Sequence, residues 1–165
     1  EGTIEENIVL GRHDISVQDI RWALHMTQLH EKISQLPDGL QTRLISNGAN
    51  LSQGQKQKLM IARSIVGRPK LLILDEAFTS IDERRKLLIM DALLAPQNNW
   101  TVIDISHDAE VVMRSHRILV LMDGNIRESG VPQHLIQNPN SVFASLFPEL
   151  ASRFNRGLQD PRRKW

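Results

Sequence analysis

Residues 71–82 read Leu71-Leu72-Ile73-Leu74-Asp75-Glu76-Ala77-Phe78-Thr79-Ser80-Ile81-Asp82, four successive apolar side chains running into two adjacent acids. A short unbroken apolar run after Gly67-Arg68-Pro69 suits a strand covered on both faces, as in a parallel sheet. Asp75 and Glu76 then stand at its C-terminal end. Beyond them, Arg84 to Leu94 reads as a helix with Leu87, Leu88, Met90, Leu93 and Leu94 inward, and Thr101 to Ile105 reads as the next strand. A helix from Ala109 to Ser115 and a strand from Arg117 to Met122 make a second strand-helix-strand unit. Asp123-Gly124-Asn125 turns the chain back as a hairpin, because tight primed turns need residues that tolerate positive φ. Pro132 opens a short helix, where its fixed φ and missing donor cost least. Asp160 to Trp165 reads as a frayed basic tail.

Toward the N-terminus, Ser16-Val17-Gln18-Asp19 starts a helix that places Ile20, Ala23, Leu24 and Thr27 on one face. Leu36-Pro37-Asp38-Gly39 and Asn47-Gly48 are turn signals, with loop expected between them, and the next helix begins near Ser52. The fold class implied is α/β. At 165 residues, with 41% apolar and 24% charged side chains, the chain has the composition of a single globular domain rather than a disordered one. A formal charge of +1 gives no basic field of the kind that gathers nucleic acid. There is no cysteine, which excludes disulfides and thiolate metal sites and fits a reducing compartment. No stretch approaches the roughly 20 apolar residues needed to cross a bilayer, and Glu1-Gly2-Thr3 has no signal-peptide pattern.

Three short segments carry chemistry. In Leu51-Ser52-Gln53-Gly54-Gln55, Ser52 is a helix N-cap and Gln55 can reach back to complete a capping box, while Gly54 allows another group to approach the backbone closely. A helix N-terminus suits an anion such as phosphate, although Ser-x-x-Gln also caps helices that bind nothing. In the second segment, Asp75 could hold Mg2+ while Glu76 polarises a water, the two tasks of phosphoryl transfer; two solvated acids ending a strand are the plainer alternative. In Asp104-Ile105-Ser106-His107-Asp108, a histidine follows a strand at the edge where α/β sheets bind ligands and could orient water or donate to a phosphate oxygen. His13, His25, His30, His116 and His134 have no such placement and read as surface or interface residues.

Order and spacing give these segments a family likeness. Residues 51–55 resemble the signature motif of ABC ATPases, usually Leu-Ser-Gly-Gly-Gln, with Gln53 at the third place. The acid pair lies one helix and a short turn later, as in that family, and residues 79–82 fall where it has its D-loop, usually Ser-Ala-Leu-Asp, with Asp82 the strict match. His107 resembles the family's switch histidine, and Asp123 to Gly130 its following hairpin. Residues 1–8 look like the segment after the Q-loop of exporter-type domains, and Thr42 to Asn50 occupies the place of the X-loop, with Ile45-Ser46 where a Gly-Glu pair is usual. The likeness extends to about Phe147.

The resemblance implies a partial P-loop NTPase fold: a mostly parallel sheet with flanking helices, plus the helical signature subdomain. It places that subdomain at 1–66, the rest of the ATPase core at 67–147 and a tail at 148–165. It implies ATP and Mg2+ as cofactors, with Asp75 as metal ligand, Glu76 as catalytic base, His107 as γ-phosphate sensor, and Ser52, Gln53, Gly54, Gln55 and Asp82 facing the nucleotide of an opposite domain. The implied partners are a second ATPase domain, identical or not, and a transmembrane domain, at the cytoplasmic face of the cell membrane and without nucleic acid. The complete domain would hydrolyse ATP to drive export.

No Gly-x-x-x-x-Gly-Lys-Ser/Thr occurs, nor a Q-loop glutamine or an adenine-stacking aromatic upstream, so the chain reads as the later portion of such a domain and is expected to be inactive alone. Lack of the phosphate-loop strand and helix is expected to leave an open apolar sheet face or edge. Two other functions fit the same residues: a truncated, non-catalytic subunit that completes a composite ATP site on a partner, and a soluble ABC ATPase not tied to transport.

Overall fold

In a computed structural model, residues 2–45 and 48–158 are described, the side chains of 155–158 excepted. The chain divides into two compact units, residues up to Ile105 and residues from Ser106 onward.

The first unit begins with β1 (Gly2–Thr3), α1 (Ile4–Val9), α2 (Val17–Met26) and α3 (His30–Ser34), followed by a 3-10 turn at Gly39–Gln41 and β2 (Arg43–Leu44). It continues through α4 (Gln53–Ile65), β3 (Leu71–Asp75), α5 (Glu83–Leu93) and β4 (Thr101–Ile105). Local chemistry starts each long helix. Ser16 and Asp19 form a reciprocal capping box at α2, as do Ser52 and Gln55 at α4. Thr3 and Glu6 do the same at α1, a Thr-x-x-Glu signal that the sequence reading passed over. The apolar face expected for α2 is buried in full: Ile20, Ala23, Leu24 and the following Thr27. Two arginines tie α1 to α4. Arg63 donates to the Asn7 carbonyl from Nε (2.6 Å), and Arg12 Nη2 donates to the carbonyls of Ile8 (2.7 Å) and Arg63 (3.0 Å).

β3 and β4 run parallel in register, Leu71 beside Thr101 through Asp75 beside Ile105. The expectation that β3 is covered on both faces does not hold. Strand side chains alternate between faces, and Leu72 and Leu74 are buried while Leu71 and Ile73 are exposed. Ile103 and Ile105 of β4 are exposed as well, so the pair presents an open apolar face, as expected from the sequence. The inward stripe of α5 also differs: Lys86, Ile89, Met90 and Leu93 are buried, whereas Leu88 is 46% exposed. Residues 86, 89, 90 and 93 share one stripe at helical spacing, and Lys86 joins it because its alkyl stem packs like an apolar chain. The segment expected as loop between the two turns holds β2, which pairs antiparallel with β1; Ser46 and Asn47 lie outside the described residues.

The second unit contains α6 (Ala109–Val112), β5 (Ile118–Met122), β6 (Asn125–Gly130), α7 (Pro132–Gln137), α8 (Val142–Leu146) and α9 (Pro148–Leu158). Helix α6 stops at Val112, short of the expected Ser115. β5 and β6 form the expected hairpin, with Asp123 and Gly124 at φ 49 and 72. The expected second strand-helix-strand unit is not a paired one among the described residues, because β5 pairs with β6 and β4 with β3. Among the described residues the strands thus form three two-stranded sheets, of which β3–β4 is the parallel one. Pro132 occupies the start of α7 as expected. The unit's core is Ile118, Val120, Ile136, Phe143, Ala144 and Leu150. Glu128 fixes α8 to the hairpin by accepting from the Ser141 hydroxyl and the Phe143 amide, both at 2.8 Å. The segment read as a tail from residue 148 is helical through Leu158, and the basic end at 160–165 lies outside the described residues.

Candidate functional site

Helix α4 and the loop leaving β3 meet in the first unit, at Gly54, which the sequence singled out, and at Gln57, which it did not. Ser52 Oγ accepts from the Gln55 amide (3.2 Å), and Gln55 Oε1 accepts from the Ser52 amide (2.9 Å). That reciprocal pair fixes the first turn of α4 and uses the Ser52 oxygen as acceptor. A hydroxyl also donates, so the Ser52 proton can still serve an anion's oxygen. Ser52 and Gln53 are exposed.

Gly54 has a structural reason to lack a side chain. A Cβ at this position would stand 2.5 Å from the Ser80 carbonyl oxygen, closer than real Cβ contacts come. The close approach foreseen at Gly54 is therefore to the backbone of residues 80–81 within the same chain. Gln57, one turn further along α4, completes the joint: its Nε2 donates to Thr79 Oγ1 and its Oε1 accepts from the Ser80 amide, both at 2.7 Å. Phe78 and Ile81 anchor the same loop by burial. Sequence reasoning missed Gln57, because its partners lie 22 and 23 residues away and a polar residue on a basic helix reads as solvated.

Asp75 is exposed at the end of β3, and Glu76 follows with φ 48, a left-handed conformation uncommon outside glycine. The Glu76 amide donates to the Ile105 carbonyl at 3.0 Å, which carries the β3–β4 ladder one residue past Asp75. Asp82 is the N-cap of α5. Its Oδ1 accepts from the Arg85 amide (3.1 Å) and its Oδ2 from the Arg85 guanidinium (2.9 Å). These hydrogen bonds hold the Asp82 carboxyl below the usual carboxylate range and raise Arg85 above its ordinary value. Lys58 is buried, with Nζ 3.0 Å from the Gln28 carbonyl, and desolvation chiefly, then the Arg85 charge, lowers its affinity for a proton.

His107 is exposed and belongs to the second unit, in the segment before α6. Asp108 beside it caps that helix, its Oδ1 accepting from the amides of Glu110 (3.0 Å) and Val111 (3.4 Å). The structure thus joins α4 to residues 79–81 through Gly54 and Gln57. Ser52 and Gln55 cap the start of the same helix, Asp82 follows the loop as the cap of α5, and Asp75 and Glu76 stand at the strand end leading into it. Among the described residues no group of three or more His, Cys, Asp or Glu could hold a metal by itself. A carboxylate at a strand end still fits Mg2+, which keeps several waters and takes one or two carboxylates together with substrate phosphates.

The ABC transporter family model matches residues 1–79. The chain is 39% identical over 149 residues to the ATP-dependent permease MDL1 of Candida albicans, covering 88% of this chain and 22% of that protein. It is 38% identical over 144 residues to the mitochondrial potassium channel ATP-binding subunit of Rattus norvegicus, covering 87% of this chain and 20% of that one. A bacterial Atm1-family ABC exporter, solved with ATP bound, superposes with a TM-score of 0.82 and 31% identity over 90% of this chain and 26% of the exporter. The chain spans about a fifth of the length of these curated relatives.

Proposed function

Because the chain belongs to the ABC transporter family, we propose that it is the signature-bearing later portion of an ATPase domain that powers export through ATP binding and hydrolysis. The fold proposed for the complete domain is the P-loop arrangement, a mostly parallel sheet with residues 1–66 forming the helical signature subdomain. The proposal assigns residues 67–147 to the remaining core and 148–165 to the tail.

The observation that supports this reading best is the joint between α4 and residues 79–82. It puts the start of the signature helix and the following loop on one surface, held by Gly54 against the Ser80 carbonyl and by Gln57. In the proposed dimer that surface faces the nucleotide held by the opposite domain. Ser52, Gln53, Gly54, Gln55 and Asp82 line it, with the Ser52 hydroxyl proton free of its capping bond to donate to a phosphate oxygen. Asp75 is the ligand for Mg2+, whose charge stabilises the phosphate oxygens when bound. Glu76 takes a proton from the attacking water, and His107 donates to the γ-phosphate. The proposed partners are the second ATPase domain and the transmembrane domain of the exporter, at the cytoplasmic face of the membrane. No helix among the described residues is long and apolar enough to cross a membrane itself.

The decisive experiment is Glu76→Gln in the complete domain. Turnover is expected to fall by about 10²–10⁴-fold, the usual contribution of a positioned general base, while ATP remains bound. Hydrolysis at the wild-type rate would remove Glu76 from the mechanism.

A further inference from the structure

Glu76 is one of five non-glycine residues with positive φ among the described residues, and it is the one proposed to act on water. A backbone in that region persists where its surroundings over-determine it. Two bonds hold it on either side. Its amide donates to the Ile105 carbonyl at 3.0 Å, and its carbonyl accepts from the Thr79 hydroxyl at 3.3 Å. The hydroxyl is in turn oriented from α4, because Gln57 Nε2 donates to Thr79 Oγ1 at 2.7 Å and so directs the Thr79 proton away from itself. The orientation of the Gln57 amide is fixed by chemistry. The Ser80 N–H, 2.7 Å from Oε1, is a donor, so the oxygen of Gln57 must face it and the NH2 must face Thr79.

We propose that Gln57 is a positioning residue for Glu76, acting through the Thr79 hydroxyl. The relay runs from the signature helix to the peptide carbonyl of Glu76, so a displacement of α4 reaches the backbone that aims the Glu76 carboxylate. It gives the Thr79 hydroxyl, and not the size of its side chain, the task of holding that carbonyl. The inference rests on the reading of Glu76 as the base, and its test keeps the two apart.

Steady-state ATP hydrolysis is measured in the complete domain for Gln57→Met, Thr79→Val, Thr79→Ser, the Gln57→Met/Thr79→Val pair and Glu76→Gln. Gln57→Met and Thr79→Val are each expected to lower kcat about tenfold, within the range expected of small misplacements, with KM for ATP unchanged. The double variant should be no slower than the slower single one, because both changes cut one relay. Thr79→Ser, which keeps the hydroxyl, should restore kcat. If Gln57→Met does not fold, the Thr79→Val and Thr79→Ser comparison decides alone. Wild-type kcat in Thr79→Val, or equal loss in Thr79→Ser and Thr79→Val, overturns the relay provided Glu76→Gln is inactive. An active Glu76→Gln overturns the assignment of the base on which the relay depends.

Discussion

The helices of residues 4–65 and the strand pair β3–β4 belong to one compact unit yet are finished to different degrees. Ile4, Ile8, Ile20, Ala23, Ala62 and Ile65 are at most 1% exposed. Leu71, Ile73, Ile103 and Ile105 are 47–59% exposed, although they are as apolar as the helical core. The helical part is closed by contacts within itself: α1 and α2 both pack on α4, and Arg12 and Arg63 donate to carbonyls of α4 and α1. The strand pair buries Leu72 and Leu74 on one face only. Burial is thus a property of what stands opposite a residue, and the two regions differ in that respect although both present isoleucine and leucine side chains.

The largest effect should come from the closed region. Ile65→Ala removes a fully buried side chain and is expected to cost about 2–5 kcal/mol of unfolding free energy, read by chemical denaturation. The open face should behave oppositely. Ile73→Lys with Ile103→Glu places opposite charges on neighbouring residues of the parallel pair and is expected to cost within about 1 kcal/mol. The same change should abolish most binding of a hydrophobic dye and raise the solubility of the chain. A loss as large as that of Ile65→Ala would mean the face is covered in solution. Cooperative unfolding of the unaltered chain as a monomer, with no dye bound, would break the comparison itself.

Gly54→Ala tests the joint between the two regions. Alanine gains roughly 0.5–1 kcal/mol of helix preference over glycine, but its Cβ would sit 2.5 Å from a backbone oxygen that no side-chain rotation can move. The overlap should win, giving a net loss of about 1–3 kcal/mol. A stabilised variant would show that residues 79–82 yield freely to α4.

These contrasts mark what was legible in the chain. Ser52 with Gln55 and Ser16 with Asp19 are three residues apart and depend on nothing else, so the helix starts could be read directly. Asp123-Gly124 was equally local. The alternation of β3 was not legible, because four apolar residues in a row say what should be buried and nothing about whether a partner is present. Leu88 was misjudged for a related reason: it is apolar, but the stripe that meets the core passes through Lys86 and Ile89. Gly54 was read correctly as a point of close approach, yet only the structure names Ser80 as the group approaching. Gln57 could not be seen at all, since both its bonds close over more than 20 residues.

The smallest expected effect is electrostatic and lies at the edge of the same joint. Asp82 caps α5 and pairs with Arg85, and its carboxyl titrates below the ordinary range because Arg85 hydrogen-bonds to the ionised form. A carboxyl with a lowered folded-state pKa stabilises the fold above its unfolded value, about 3.9, and that contribution fades as pH falls through the folded value. Asp82→Asn keeps a competent cap while removing the charge. The variant should therefore be slightly less stable than the parent at pH 7, by less than the Gly54→Ala loss because the pair is solvent-exposed. The difference should shrink as the pH drops below about 4 and be screened by salt. A gap that persists unchanged into acid would assign the role of Asp82 to its shape as a cap, and the charge on the loop facing α4 would then contribute nothing to holding the joint.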